Sequence, residues 1–468
     1  MADKKPNLIY VFADQLRYSS VGYNGDALAH TPNIDAFSEE CAVMDNTVSG
    51  HPVCSPYRAS LLTGQYTTST GMVINEIRIN PNHRCFAHVL NENGYETSYI
   101  GKWHMYAAQL GHHYDVKNSF IPPGPDRLGF DGYFAAYNFH HEYYAPKAYY
   151  HLDTNEKIYC TKYEPDQQTD MAIERIRAHK ADGKPFALFL SYGTPHDPWS
   201  PENVPPEYYD LFRDVDFPPP PNYKKHNDPH ADGWARFLPG KRSKISDWKK
   251  VYYAMVANLD ANVARLLEAV QNEGLADDTI FVFTSDHGEM FGAQGRHAKN
   301  IFYEESVRVP FLIRWGDKLP KGKNYTCFNT VDIMPTLLTM MGLPVPDTVQ
   351  GTNISDCIQN GTRRENNCLM MGTGPTAIYG NGVEWRGIRS DRYTYATYKS
   401  DGSEYLFDNR DDPYQLHNLI HSPEHAQVLH ALREQMYAMM RRIGDNFEKN
   451  SYYKKHWVDH RKILPELK

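Results

Sequence analysis

Four near-continuous apolar runs, each followed at once by polar, chemistry-bearing residues, constrain what this chain can fold into. They are Asn7-Leu8-Ile9-Tyr10-Val11-Phe12, Thr97-Ser98-Tyr99-Ile100, Phe186-Ala187-Leu188-Phe189-Leu190 and Thr279-Ile280-Phe281-Val282-Phe283. Runs that are apolar at successive positions fit strands buried on both faces of a parallel sheet. Helical patterns lie between them, from Asp170 to His179 and from Trp248 to Asn272. This alternation predicts an α/β fold with a large mixed, mainly parallel sheet flanked by helices. In such sheets the ligand site lies outside the carboxyl ends of the strands. Here those ends read Asp14-Gln15, Gly101-Lys102-Trp103-His104, Thr194-Pro195-His196-Asp197-Pro198 and Ser285-Asp286-His287-Gly288. A single strand-end Asp is usually a cap or turn residue. Four such ends together predict one convergent polar site.

At 468 residues the chain exceeds one ordinary core, so a large domain and a smaller one are expected. After about residue 365 the texture changes to strand-like alternation, in Glu384 to Arg389, Tyr393 to Tyr398 and Glu404 to Asp408. An amphipathic helix follows from about Pro423 to Ile443. We therefore expect a catalytic α/β domain over 1–365 and a C-terminal subdomain over 366–468, the latter an antiparallel sheet plus helix. The stretch Phe217 to Gly240, with its run of four prolines, its glycines and its charges, reads as a long surface excursion. A net charge of −8 argues against a nucleic-acid partner, and no apolar segment is long enough for a membrane helix. Seven scattered cysteines without Cys-x-x-Cys spacing indicate neither a disulfide framework nor a zinc site. The first six residues contain no signal-peptide core. That predicts a cytoplasmic protein as written, or a periplasmic or secreted one if a leader has been removed. Nothing in the pattern specifies an oligomeric state.

The run Cys54 to Gly64 reads as a short helix, with Ser55 as N-cap, Pro56 at the first helical position and Gly64 just past the end. Cys54 then lies at the positive end of a helix, where an anion would settle, and Arg58 lies one turn on. Asp14, Gln15, Asp286 and His287 offer two carboxylates, an amide oxygen and an imidazole. This set suits a hard divalent cation, and the imidazole widens the choice toward manganese or zinc. Arg58, Lys102 and Lys299 supply positive charge for the oxygens of an anionic ester. His104 and His196 are placed for proton transfer, with ordinary pKa values near neutrality. The segment Phe120 to Cys160 is rich in His and Tyr and reads equally as a sugar-lining loop or a packed one.

Cys54-x-Pro56-x-Arg58, followed by Leu-x-Thr-Gly, resembles the sulfatase signature. Asn7 to Asp14, Thr31 to Asp35, Gly101-Lys102-Trp103-His104, His196, Ser285 to Gly288 and Lys299 before Tyr303 to Pro310 resemble further sulfatase motifs in the same order. Leu406-Phe407-Asp408 with Asp412-Pro413 resembles the family's C-terminal ending. The resemblance covers nearly the whole chain and implies an alkaline phosphatase-like fold. It also implies hydrolysis of a sulfate monoester, of a sulfated carbohydrate or aryl sulfate, through a formylglycine made from Cys54 by a maturation enzyme. One divalent metal is implied, calcium first with manganese, magnesium or zinc as alternatives, held by Asp14, Gln15, residue 54, Asp286 and His287. Arg58, Lys102 and Lys299 would bind and polarise, with His196 as proton donor to the leaving alcohol and His104 as the base that releases sulfate. Gln15 and His287 stand where many sulfatases carry Asp and Asn. Both variants also occur in phosphonate monoester and phosphodiester hydrolases of the superfamily, which leaves that activity as the alternative. A catalytically silent binding protein on this fold would be expected to lack Cys54, His104 or Asp286, and all three are present.

Overall fold

The computed structural model describes residues 5–107, 111–374 and 381–458. Its main sheet is built, in chain order, from β1 (Asn7–Ala13), β2 (Ala42–Met44), β3 (Glu96–Lys102), β4 (Phe134–Tyr137), β5 (Phe186–Ser191), β6 (Thr279–Ser285), β7 (Phe311–Arg314) and β8 (Gly322–Asn324). Side by side the strands run β8-β2-β7-β6-β1-β5-β3-β4. β1 pairs in parallel with β5 on one side, Val11 opposite Leu190, and with β6 on the other, Val11 opposite Phe283. β7 alone runs against its neighbours. The expected mixed, mainly parallel sheet is therefore observed. Because β5 and β6 flank β1 on opposite sides, a crevice opens at the carboxyl end of β1, where a ligand site belongs in this class of sheet.

Both faces of the sheet are buried, which explains the continuous apolar runs. Leu8, Tyr10 and Phe12 share a core with Tyr57, Leu61 and Leu62 of α1 (Cys54–Thr63) and with Ile333 and Leu337 of the α-helix Thr330–Met340, which packs against α1. Ile9, Val11 and Ala13 face α2 (Glu164–Asp182) and α3 (Ile245–Asn272), through residues such as Ala172, Ile176, Leu259 and Val263. Each such buried Val, Ile or Phe contributes about 1.5–3 kcal/mol, so both registers of β1 are strongly specified. Taking Thr330–Met340 as α4, the helices alternate with strands as the sequence pattern predicts.

A second sheet of four antiparallel strands follows: β9 (Cys368–Gly372), β10 (Trp385–Arg389), β11 (Tyr393–Tyr398) and β12 (Glu404–Asp408). One face is covered by α5 (Ala426–Arg442), whose Leu432, Met436 and Met440 recur every four residues and meet Leu369, Met371, Ile388 and Leu406. The other face, with Met370, Trp385, Tyr398 and Phe407, packs against Met290, Ile301, Phe302 and Tyr303. The small sheet thus forms the floor beneath the segment that carries Lys299. Buried Arg389 ties the two together, donating to both carboxylate oxygens of Glu304 at 2.8 and 2.9 Å. Among the described residues no helix is long and apolar enough to cross a membrane.

Two local expectations change. α1 begins at Cys54 with Val53 as its N-cap, so Ser55 lies inside the first turn. The reason is that Ser55 is used across the fold: its hydroxyl donates to the His104 carbonyl, and its N–H donates to Asn75 Oδ1. Gly64 caps the other end at φ 64°, as expected. The excursion around 217–240 is also not a bare surface loop. Ala231, Asp232, Ala235 and Phe237 are buried, and hydrogen bonds from Gln294 N to Asn222 O (2.8 Å) and from His297 N to Ala235 O (3.0 Å) hold it against the Lys299 segment.

Gly101 shows how tightly the strand ends are set. It has φ +102°, and a Cβ there would lie 2.0 Å from the Ser191 carbonyl oxygen. Gly101→Ala is expected to cost about 3 kcal/mol or more in a denaturant titration, because either β3 or β5 must move and Lys102 with it. An unchanged midpoint would contradict this packing.

Candidate active site

The four strand ends converge. Asp14 follows β1, Lys102 closes β3, Asp286 and His287 follow β6, and Cys54 opens α1. All five are fully buried or within 1% of it. Asp14 Oδ2 accepts from Lys102 Nζ at 2.6 Å and from Arg58 Nη2 at 3.1 Å. The other end of the Arg58 guanidinium donates to the Lys102 carbonyl (2.7 Å) and to Ser191 Oγ (2.6 Å). Arg58 therefore joins the ends of β1, β3 and β5 and also faces Asp286 Oδ2 at 3.5 Å. Its face rests on the Phe12 ring at 4.9 Å.

Asp14, Cys54, Asp286 and His287 present ligand atoms that all lie within 4.8 Å of one another. His287 Nδ1 donates to the Gly288 carbonyl at 3.1 Å. That leaves the Nε2 lone pair directed at the cluster, 3.3 Å from Cys54 Sγ and 3.5 Å from Asp286 Oδ1. Asp286 Oδ2 accepts no hydrogen bond although buried. Burial, and then the nearby charge of Asp14, push the Asp286 carboxyl well above its usual range. Two buried carboxylates, one oxygen without a donor and an outward imidazole lone pair make a donor set that fits a divalent cation. Burial and Asp14 also push the Cys54 thiol up to about 11.

Gln15 sits at the rim with a left-handed backbone, φ 73°. Its N–H donates to Asp286 Oδ1 (3.0 Å), and its amide nitrogen donates to Glu289 Oε2 (2.7 Å). Its amide oxygen accepts from Lys299 Nζ at 2.6 Å. Any metal contact by that oxygen would be shared with Lys299. Lys299 also donates to His196 Nε2 at 2.9 Å, while His196 Nδ1 donates to the Asp197 carbonyl at 2.9 Å. His104 stacks on Phe139 at 4.3 Å and has both ring nitrogens buried without a partner. Neither histidine keeps an ordinary pKa. Burial, reinforced for His104 by Lys102 and Arg58 and for His196 by Lys299, lowers both well below the usual imidazole range. Both therefore stand neutral in the free site.

Comparison with known proteins gives this arrangement its family. The family model described as Sulfatase matches residues 6–343, and the model for the N-sulphoglucosamine sulphohydrolase C-terminal region matches residues 292–442. The chain belongs to the sulfatase family. It is 34% identical over 456 residues to an ulvan-active sulfatase of Formosa agariphila, covering 96% of this chain and 84% of that protein. It is 28% identical to an endo-4-O-sulfatase of Bacteroides thetaiotaomicron, covering 94% and 92%. The crystal structure of the sulfatase yidJ from Bacteroides fragilis superposes with a TM-score of 0.83 at 30% identity, covering 97% of this chain and 99% of that one.

In this sulfatase the site opens into a cavity of about 480 Å³ lined by Cys54, Gln15, His196 and Lys299 on the inner side. The His- and Tyr-rich segment divides between its two readings. Phe139 and His141 line the cavity, and the His141 ring stacks on His196 at 3.9 Å and 9°. Tyr143 is packed behind, its hydroxyl donating to the Gly193 and His196 carbonyls at 2.7 and 3.1 Å. Asn75, Trp199, Trp234, Arg236, Lys241 and Glu289, which belong to none of the sequence motifs, also line the cavity. Trp199 and Glu289 lie three residues after His196 and two after His287, a proximity that could have flagged them. Trp234, Arg236 and Lys241 had no such signal, since they sit in or just after the loop region read as surface.

Metal loading is expected to appear in stability as well as in turnover. Calcium should raise the unfolding temperature of the wild-type sulfatase and excess chelator should lower it. About 2.7 kcal/mol is expected at a hundredfold excess over Kd. Asp286→Ala should abolish the response, as measured by differential scanning fluorimetry with and without chelator.

Proposed function

We propose that this sulfatase hydrolyses a sulfate monoester of a carbohydrate, using formylglycine generated from Cys54 by a maturation enzyme and one divalent metal, calcium first. The observation that carries this reading is the buried cluster of Asp14, Asp286, His287 and residue 54, backed by Arg58 and Lys102, with Cys54 at the inner end of a cavity that Lys299 and His196 also line. A thiol held near 11 stays protonated at neutral pH and is a poor nucleophile. Hydrated formylglycine supplies instead an oxygen nucleophile and a second hydroxyl from which sulfate can be expelled. A metal held by Asp14, Asp286 and His287 supplies Lewis acidity beside it.

The remaining roles belong to the chain's own side chains. Lys102 and Arg58 hold Asp14 ionised and oriented, so the anionic cluster keeps its shape without substrate. Lys299 offers an ammonium to the sulfate oxygens, in a water-poor site where such donors act strongly. Lys299 and His196 share a proton along one hydrogen bond, and this pair delivers it to the departing alcohol oxygen. His104, unpartnered and neutral on the other wall, accepts the proton when sulfate is released. Saccharide esters are favoured by the cavity's size and aromatic lining, and by relatives described as ulvan-active and endo-4-O-acting sulfatases.

The test is a substrate panel on enzyme produced with a formylglycine-generating partner, with peptide mass analysis of residue 54. Conversion of the thiol to the aldehyde is expected, and kcat/KM for sulfate monoesters should exceed that for phosphate diesters and phosphonate monoesters. Full activity with an intact thiol, or a preference for the phosphorus esters, would overturn the reading.

His196→Ala separates the proton donor from the binding groups. Its kcat should fall about 10²–10⁴-fold on saccharide sulfates, and much less on 4-nitrophenyl sulfate, whose leaving group needs no proton. Equal losses on both would assign His196 to positioning alone.

A further inference from the structure

The outer half of the cavity has a composition that the reaction at residue 54 does not use. Three of the chain's seven tryptophans, Trp199, Trp234 and Trp248, line it together with Arg236 and Lys241. Trp199 is fixed by a hydrogen bond from its Nε1 to the Pro195 carbonyl at 2.8 Å. It packs on Phe291 at 4.8 Å and lies 5.8 Å from Trp248. Trp234 stands 6.0 Å from Lys299 Nζ, so the aromatic wall begins where the inner site ends.

Neither cation is neutralised by a carboxylate among the described residues, although Arg236 Nη2 also lies 3.5 Å from the Pro229 carbonyl. Among the described residues neither Arg236 nor Lys241 makes an ion pair, whereas most arginines of the chain do. Arg236 is nevertheless held in place. Its Nε donates to the Ala231 carbonyl at 2.7 Å, and its own carbonyl accepts from His297 Nε2 at 3.0 Å, two residues from Lys299. The acids of the lining lie on its inner side, beside Gln15 and His196. Glu289 accepts from the backbone N–H groups of Phe291 and Ala298 and from Gln15, and Asp197 lies against His196. The outer cavity therefore presents positive charge beside low-dielectric indole faces, a combination that focuses an anion-attracting field.

We infer that this outer half is a subsite for a second anionic group on the sulfated saccharide, a carboxylate or another sulfate. Arg236 and Lys241 receive that anion while the tryptophans take the apolar face of its sugar ring. The inference rests on the sulfate-ester reading above and adds to it a substrate class: saccharides carrying at least two negative charges.

The experiment compares three probes, 4-nitrophenyl sulfate, glucosamine 6-sulfate and glucosamine 2-N,6-O-disulfate, with a sulfated uronate-containing disaccharide as a fourth. It uses matured wild type and the variant Arg236→Ala/Lys241→Ala. Wild type should prefer the doubly charged probes, and the fourth probe against the third tells carboxylate from sulfate. The variant should lose about 10–100-fold in kcat/KM on these, mainly through KM, with a clearly smaller loss on 4-nitrophenyl sulfate. In parallel, quenching of tryptophan fluorescence is titrated with the same probes on Cys54→Ser protein, with and without the two substitutions. Equal loss of kcat/KM on all probes, or no preference for the second charge in wild type, would overturn the subsite. If no sulfate ester is turned over, the sulfatase reading fails on its own. The fluorescence titration then still decides whether doubly charged saccharides bind through Arg236 and Lys241, and absence of that dependence sinks the inference.

Discussion

Asp14 and Asp286 lie buried side by side at the ends of adjacent parallel strands, and their mutual repulsion is the constraint around which the molecule is arranged. Burying a carboxylate costs several kcal/mol unless charge and hydrogen bonds compensate. Here the compensation is uneven. Asp14 receives both Lys102 and Arg58, and stays ionised. Asp286 receives one backbone N–H, and its second oxygen meets only the Arg58 guanidinium at 3.5 Å. The under-compensated Asp286 carboxylate borders the cluster, with Oδ1 at 3.5 Å from His287 Nε2, where a cation would be held. Arg58 makes this arrangement geometric as well as electrostatic, because it also bonds the Lys102 carbonyl and Ser191. The strand ends cannot separate without stranding a buried guanidinium.

Around that centre the chain supplies support from distant parts of its length. The antiparallel sheet packs its inner face under residues 290–303, and Arg389 fixes Glu304 in the same segment. The 217–241 region is hydrogen-bonded along the outer side of the same stretch. Lys299 is thereby clamped between two elements, which is how a flexible side chain comes to hold both Gln15 and His196 at hydrogen-bond distance. The His- and Tyr-rich segment supports the opposite wall, with Phe139 behind His104 and His141 against His196. His104 and His196 therefore each have a ring packed on them, and burial by those rings is part of what keeps both neutral.

Much of the inner site was legible in the chain because strand chemistry is local. An apolar run buried on two faces must end in a turn, and the side chains just beyond it have few places to go. Asp14, Lys102, His196 and Asp286 follow from that rule. What was not legible depended on partners far along the chain. Ser55 reads as a helix cap, and it is instead bonded to His104 and Asn75. Histidines 104 and 196 read as ordinary near-neutral titrating groups, but burial beside lysines lowers both. Trp234 and Arg236 read as surface because a proline-rich loop has no periodicity to reveal which face it buries, and Lys241 just after it carries no signal either.

By itself, the sequence determined the class of sheet, the identity of the groups at its carboxyl edge and the helix that presents residue 54. These depend on periodicity, strand-end position and a short motif, all of which act over a few residues. Tertiary structure alone decided how charge is shared between the two buried carboxylates and which donor holds Gln15. It also decided which loop residues wall the cavity. Those outcomes depend on distances between segments two hundred residues apart, set by the order in which β5 and β6 dock on either side of β1. No local pattern encodes that docking order, and the substrate's surroundings are built from it.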